Sequence, residues 1–269
     1  MRGKFFLLTF MKTIICLLTL SLPLAAESLR SANVTVAIKD VQVFPGSDAS
    51  HSAIVGEKLS LPSSVQTGRQ SRAELTFSDN TLTRLGQNSI FSFRDGGRNV
   101  ELKQGSVLLQ VPKNVGGATI RTATVTCAIS GTTVMFEYSP KGWIKLITLE
   151  GTQKLTINGS NVSMALPAGK MIIMHPDAKQ IPQPVDVDIA KLVATSPLAG
   201  NGVFAPLPPA AMQLIKASID KQTIAKRKGL LTPTNFVVTG PGGRTAKSQA
   251  TSIAGDRSGP QGTTQQPVP

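Results

Sequence analysis

Aromatic rings, acidic groups and cysteines are all in short supply in this chain, and each shortage closes off a class of protein. Aromatics make up 4% of the 269 residues, with a single tryptophan, Trp143, and a single tyrosine, Tyr138, so there is little surface on which nucleic-acid bases could stack. Two cysteines, Cys16 and Cys127, leave no disulfide framework, because Cys16 falls in the N-terminal apolar stretch and Cys127 is then alone. Set in T-V-T-C-A-I-S, a β-branched run, Cys127 is expected to be a small buried hydrophobe rather than a nucleophile. Two histidines, His51 and His175, supply neither a metal-ligand set nor a triad. Even the H-P-D run at 175–177 offers one imidazole and one acid, which fits a surface turn.

Acids are outnumbered, 15 to 28 by Lys and Arg, for a formal net charge of +13. The excess is spread out: residues 27–179 hold sixteen Lys/Arg against eleven Asp/Glu, and residues 180–269 hold nine against four. Only K-R-K at 226–228 is clustered. Without a basic stripe or a recognisable module, nucleic acid is not an expected partner, whereas peripheral contact with anionic surfaces is.

The first 26 residues carry Arg2, Lys4 and Lys12 and no acid, then T-I-I-C-L-L-T-L-S-L-P-L-A-A. A basic start, an apolar stretch and small residues at Ala25 and Ala26 describe a cleaved secretory signal peptide, with Met1 or Met11 as the start. The expected location is therefore the periplasm or the exterior. An uncleaved anchor is the alternative, but Lys12 interrupts the apolar run.

Beyond it, from about 27 to 180, short alternating segments are separated by glycine turns. Ala73, Leu75 and Phe77 fall on one face of a strand and Arg72, Glu74 and Thr76 on the other; an Asp79-Asn80 turn follows, and then Phe91 and Phe93 share a face. Further on, Val107, Leu109 and Val111 and then Val134, Phe136 and Tyr138 repeat the pattern. No amphipathic helix interrupts before 180, which argues for an all-β domain built as a solenoid-like roll or a sandwich. Residues 181–229 are richer in proline and are expected to hold two short helices. The first is capped by Asp186 and carries Ile189, Leu192 and Val193; the second runs from about Ala210 to Lys228 with Leu214, Ile215, Ile219 and Ile224 as its stripe. Residues 230–269, dominated by Gly, Pro, Ser, Thr and Gln, are expected to be a disordered tail.

Three stretches taken together resemble the FecR domain family. They are T-G-R-Q-S-R-A-E-L-T-F-S-D-N-T-L-T-R-L-G-Q-N-S-I-F-S-F from Thr67, V-E-L-K-Q-G-S-V-L-L-Q-V from Val100, and A-T-I-R-T-A-T-V-T-C-A-I-S-G-T-T-V-M-F-E from Ala118. The likeness is close over about 55–137 and looser to about 175, and Asn80 stands where glycine is usual, a residue that also tolerates positive φ. The best-known members resemble a relay with a cytoplasmic segment regulating a sigma factor, one membrane span and an outer β domain. With about ten residues ahead of its apolar stretch, this chain is expected to lack that cytoplasmic arm.

The resemblance therefore implies an exported, non-enzymatic binding or scaffolding module of the bacterial envelope. It would have no cofactor, no catalytic or metal-ligating residues, and an envelope protein or polysaccharide as its partner. A signal-transduction component acting with a separate membrane partner is one alternative. A carbohydrate-active or other envelope enzyme with paired carboxylates is another, although Glu74, Asp79, Glu137 and Glu150 each read as solvent-facing. Two residues are candidate partner contacts. Arg84, between Leu82 and Leu85 and within reach of Glu74 or Asp79, is either that or a structural ion pair. Trp143, after the Lys141-Gly142 turn, is either an anchor for a protein or sugar or a prop for its hairpin.

Overall fold

A computed structural model describes residues 29–46, 49–95, 97–200 and 202–231; the expected signal peptide, and the expected tail from 232 on, lie outside these. In chain order the strands are β1 (Ser31–Ile38), β2 (Val41–Pro45), β3 (His51–Ser52), β4 (Lys58–Ser60), β5 (Ser63–Thr67), β6 (Arg72–Phe77), β7 (Leu82–Leu85), β8 (Ile90–Phe93) and β9 (Asn99–Gln110). After them come β10 (Ala118–Arg121), β11 (Val125–Ile129), β12 (Thr133–Tyr138), β13 (Ile144–Glu150), β14 (Thr152–Ile157), β15 (Ser163–Pro167), β16 (Lys170–Met174) and β17 (Val185–Asp186). Two helices close the described chain, α1 (Ile189–Thr195) and α2 (Pro209–Arg227).

The strands form two faces that share one long member. A front sheet runs β4-β1-β6-β7-β9-β12-β13-β16-β17 and is antiparallel throughout. A back sheet runs β3-β2-β5-β8-β9-β10-β11-β14-β15, in which only the β9–β10 pair is parallel. The first half of β9 ladders with the back sheet and the second half, from Gly105, with the front. Of the roll and the sandwich, this is a sandwich folded about a shared strand.

Period-two alternation decides which side chains meet between the layers. Leu75, Phe77, Leu85, Val107, Phe136 and Leu146 come from the front, and Val65, Phe91, Phe93, Leu102, Ile120 and Leu155 from the back. Phe77 and Phe93 join the layers edge to face, with centroids 5.1 Å apart. Cys127 lies in this core, where burial pushes its thiol well up, so it is not poised as a nucleophile.

The front sheet is covered on its other side as well. Leu82, Leu108, Ile147, Leu149 and Met171 pack against Val187, Ile189, Leu192, Leu198, Phe204, Leu207 and Ile215 of the segment that contains both helices. That segment joins the sheet directly, since β17 pairs with β16. Asp186 belongs to this strand and pairs with Lys170; the cap of α1 is Asp188, whose side chain accepts from the Lys191 amide at 3.0 Å. The expected stripe of α2 is also revised: Ala211, Ile215 and Gln222 are buried, whereas Ile224 is 53% exposed. Gln222 is held inward because its amide donates to Val187 O at 2.7 Å and accepts from Ile189 N at 3.1 Å. Among the described residues no helix is long and apolar enough to cross a membrane.

Candidate functional site

The T-G and R-L-G-Q-N-S elements are a clasp at the point where β9 passes from one sheet to the other. The Thr67 hydroxyl donates to Gly86 O at 2.5 Å and accepts from Ser89 N at 2.9 Å. Ser89 is fully buried; its hydroxyl lies 3.0 Å from Gly86 O, and it accepts from Ser106 N at 3.0 Å. Gly105 makes the passage possible: its φ is +95°, and a Cβ there would lie 2.4 Å from Ser89 Cα. At the β6–β7 turn Asn80 takes φ +64°, as expected of an asparagine standing in for glycine. Asp79 beside it accepts from Thr81 N at 2.8 Å and pairs with Arg98 at 2.5 Å.

On the outer side of the front sheet, register aligns side chains in rows across the strands. One row reads Glu74, Arg84, Leu108, Met135, Ile147, Met171. Arg84 is 1% exposed and its donors are spoken for: Nε donates to Glu74 Oε2 at 2.7 Å, Nη1 to Leu198 O at 3.0 Å and Nη2 to Ala205 O at 2.6 Å. Phe204 lies against its guanidinium, 4.8 Å from ring centroid to Cζ. Glu74 is completed by the Thr35 hydroxyl at 2.8 Å. As a contact for a separate partner Arg84 is thus corrected: what it binds is the chain's own extension. The solvent-facing reading of the carboxylates is corrected too, since Glu74, Asp79 and Glu150 are buried. They tolerate it because each has polar partners, Glu150 accepting from the Thr133 hydroxyl at 3.0 Å.

The neighbouring row is left largely uncovered. It starts at Arg72, continues through Gly86, whose amide donates to Ser106 O at 2.8 Å, and proceeds by register through Ser106, Glu137, Lys145 and Ile173. Glycine and serine in mid-row, where neighbouring strands carry long side chains, leave a trough of about 370 Å³. Arg72 stands on one side, and Trp143, Lys145 and Met135 on the other; Leu192, Pro197 and Leu198 close one end. Three strand spacings separate the Arg72 and Glu137 backbones, about 14 Å.

Trp143, the second candidate contact, is half-buried in the trough wall and donates through Nε1 to Glu137 Oε1 at 3.3 Å. Glu137 Oε2 forms an ion pair with Lys145 Nζ. Burial pushes the Lys145 ammonium down from its ordinary value, and Glu137 opposes that shift. Burial also lowers the Arg72 guanidinium, and here no carboxylate opposes it: Nη1 donates to Ser71 O at 2.7 Å, while Nε is buried without a hydrogen-bond partner. Among the described residues Glu137 is the one carboxylate lining the trough. Among the described residues no group of three or more potential metal ligands occurs. The histidines lie elsewhere, His51 paired with Glu57 at 2.6 Å and His175 exposed beside Asp177.

Architecture and clasp define an all-β sandwich domain whose two sheets turn about one strand, with a helical extension bound to one face. Residues 63–152 match the FecR protein family. The match starts eight residues later than the sequence resemblance and runs through β13. Two crystal structures, each of a putative anti-sigma factor from Parabacteroides distasonis, are similar at TM-scores of 0.43 and 0.42, with 17% and 15% identity. The first alignment covers 49% of this chain and 63% of that one, and the second 52% and 76%. None of the curated proteins matches the sequence. Sequence reasoning missed Arg72, Glu137 and Lys145 as a group: alternation places Arg72 on the outward face and Glu137 reads as solvent-facing, but strand order is what sets Arg72 in one row with the Glu137–Lys145 pair.

Proposed function

We propose that this chain is an exported, non-enzymatic binding module of the bacterial envelope, in which the FecR sandwich presents the trough beside Trp143 to an envelope component. The observation that carries the reading is the trough itself. It is a concave site with an aromatic wall and a few polar groups, floored by strands β9, β12 and β13, and such sites are where proteins hold ligands. Glu137 is tied to both Lys145 and Trp143, which suits a positioning role better than proton transfer. Export is supported by the basic, apolar and small-residue order of the first 26 residues.

Trp143 is the only tryptophan, so its emission reports directly on the trough wall. Adding envelope extract to the purified protein is expected to shift that emission and to protect it from iodide. The Trp143→Leu variant, used as bait, is expected to retain less from the same extract than the parent chain. Unchanged emission together with equal retention would remove the trough from the function. Cell fractionation that finds the chain in the cytoplasm with its N-terminal residues intact would remove export.

A further inference from the structure

Two arginines occupy neighbouring rows of the same sheet face, and only one has its charge answered. Arg84 meets Glu74 and two carbonyls supplied by the extension. Arg72 meets one carbonyl, and among the described residues no carboxylate pairs with it. A guanidinium keeps its charge at any ordinary pH, so a half-buried one lacking an anion lowers its free energy by acquiring one. Along the same trough the Lys145 charge is already balanced by Glu137, which leaves a net positive lining. Trp143 and Met135, with the extension's Leu192 and Leu198, give the wall an apolar and aromatic part beside the polar Gln87, Asn88, Gln104 and Ser139.

From this we infer that the trough takes a small apolar molecule or chain end bearing one carboxylate, whose oxygens are received by Arg72 while its apolar body lies against Trp143 and Met135. The inference rests on the binding function proposed above and names the chemistry of the ligand. Planar bidentate pairing is what a guanidinium offers a carboxylate, and the one hydrogen bond the Arg72 guanidinium makes among the described residues is that from Nη1 to Ser71 O. About 370 Å³ accommodates a single ring with a short chain. The same group is presented by a free aryl or alkyl acid and by the C-terminal residue of a polypeptide.

Phenylbutyrate and its neutral analogue phenylbutanol separate the charge from the apolar body, and Ala-Ala-Phe with a free or an amidated C-terminus separates the two sources. Binding is read from Trp143 emission and checked by calorimetry on the full chain. The acid is expected to bind at least about ten-fold more tightly than the alcohol, as for a hydrogen-bonded ion pair. Arg72→Gln should abolish that preference while leaving the alcohol's affinity unchanged, Arg72→Lys should restore part of it, and Trp143→Leu should weaken acid and alcohol alike. If Arg72→Gln does not fold, Arg72→Lys with the acid-to-alcohol ratio carries the test. Equal binding of acid and alcohol, a preference unaffected at Arg72, or no saturable binding of any probe would each overturn the assignment. Envelope extract that shifts Trp143 emission when none of these probes does would leave the binding function standing and remove only its carboxylate ligand. The free tripeptide binding where phenylbutyrate does not would assign the site to chain ends, and the reverse would assign it to free acids.

Discussion

Replacing Arg84 with alanine tests how the extension is held. In the parent chain the guanidinium is 1% exposed and serves Glu74, Leu198 O and Ala205 O at once, with Phe204 against its face. Truncation leaves Glu74, itself only 8% exposed, as a buried carboxylate with Thr35 as its remaining side-chain partner, and strips a donor from two carbonyls. Removing one member of a buried ion pair costs about 3–5 kcal/mol, most of it the uncompensated charge left behind. For a domain of this size about 2–4 °C of Tm accompanies each kcal/mol, so Arg84→Ala should lower Tm by roughly 6–20 °C. The double variant Glu74→Leu with Arg84→Met should lose less than the sum of its single changes, by about 2 kcal/mol or more, because it removes both charges together. Calorimetry on the parent, Arg84→Ala, the two single changes and the double variant reads both quantities. Limited proteolysis of Arg84→Ala should also open the chain between Pro197 and Leu207, where the carbonyl anchors and Phe204 lie. A Tm within about 2 °C of the parent, with that stretch still protected, would refute the claim that Arg84 fastens the extension.

Gly105→Ala should destabilise by about 3 kcal/mol or more in urea unfolding, since φ is +95° and Ser89 Cα would lie 2.4 Å from the new methyl; Gly159→Ala, at φ +70° with open space around it, should cost only about 1 kcal/mol. Burial raises the Glu150 carboxyl above its ordinary value despite the Thr133 hydrogen bond, so the folded chain binds that proton more tightly than the unfolded chain does. Stability from this group is then fully present below about pH 4 and is lost as pH rises through the raised value. Thermal melts of Glu150→Gln should accordingly exceed the parent at neutral pH and converge with it in acid, and parallel curves would count against the assignment. Limited proteolysis of the parent chain should leave a core that includes α2 rather than one ending near 180, because Gln222 and the Lys226–Asp188 pair at 2.6 Å hold that helix in place; a limit fragment ending before Ile189 would contradict this.

Alternation made one side of each strand legible, and the structure explains why it left the other side obscure. Ala73, Leu75 and Phe77, then Phe91 and Phe93, are core residues as their spacing predicts. The same spacing assigns Glu74 and Glu150 to solvent, and both are buried, as is Arg84, read as a partner contact or a structural ion pair. They lie on the outer face of a sheet that has a third layer above it, and the residues forming that layer carry no usable period. Val187, Leu198, Phe204 and Leu207 belong to irregular chain, and Gln222, a polar residue, takes one of the buried positions of α2. The trough is harder still to read. Glu137 and Lys145 are partners in the β12–β13 hairpin, but Arg72 comes from a strand far back in the sequence and joins their row only because β7 and β9 lie between β6 and β12.

The extension and the trough are consequences of one arrangement. Covering the front sheet with a segment that ends its contacts at the Glu74–Arg84–Leu108–Met135 row leaves the Arg72–Gly86–Ser106–Glu137 row as its margin. A long side chain at Gly86 would fill that margin, and a Cβ there would meet Ser106 Oγ at 2.0 Å, so the Ser106 hydroxyl would have to turn aside to admit one. Gly86 is held there by the clasp, since its carbonyl is the acceptor shared by Thr67 and Ser89. The turn residues that fix the crossing of the two sheets therefore also keep the floor of the trough bare. Whatever occupies the trough approaches a surface that is rigid below, aromatic on one side and cationic on the other.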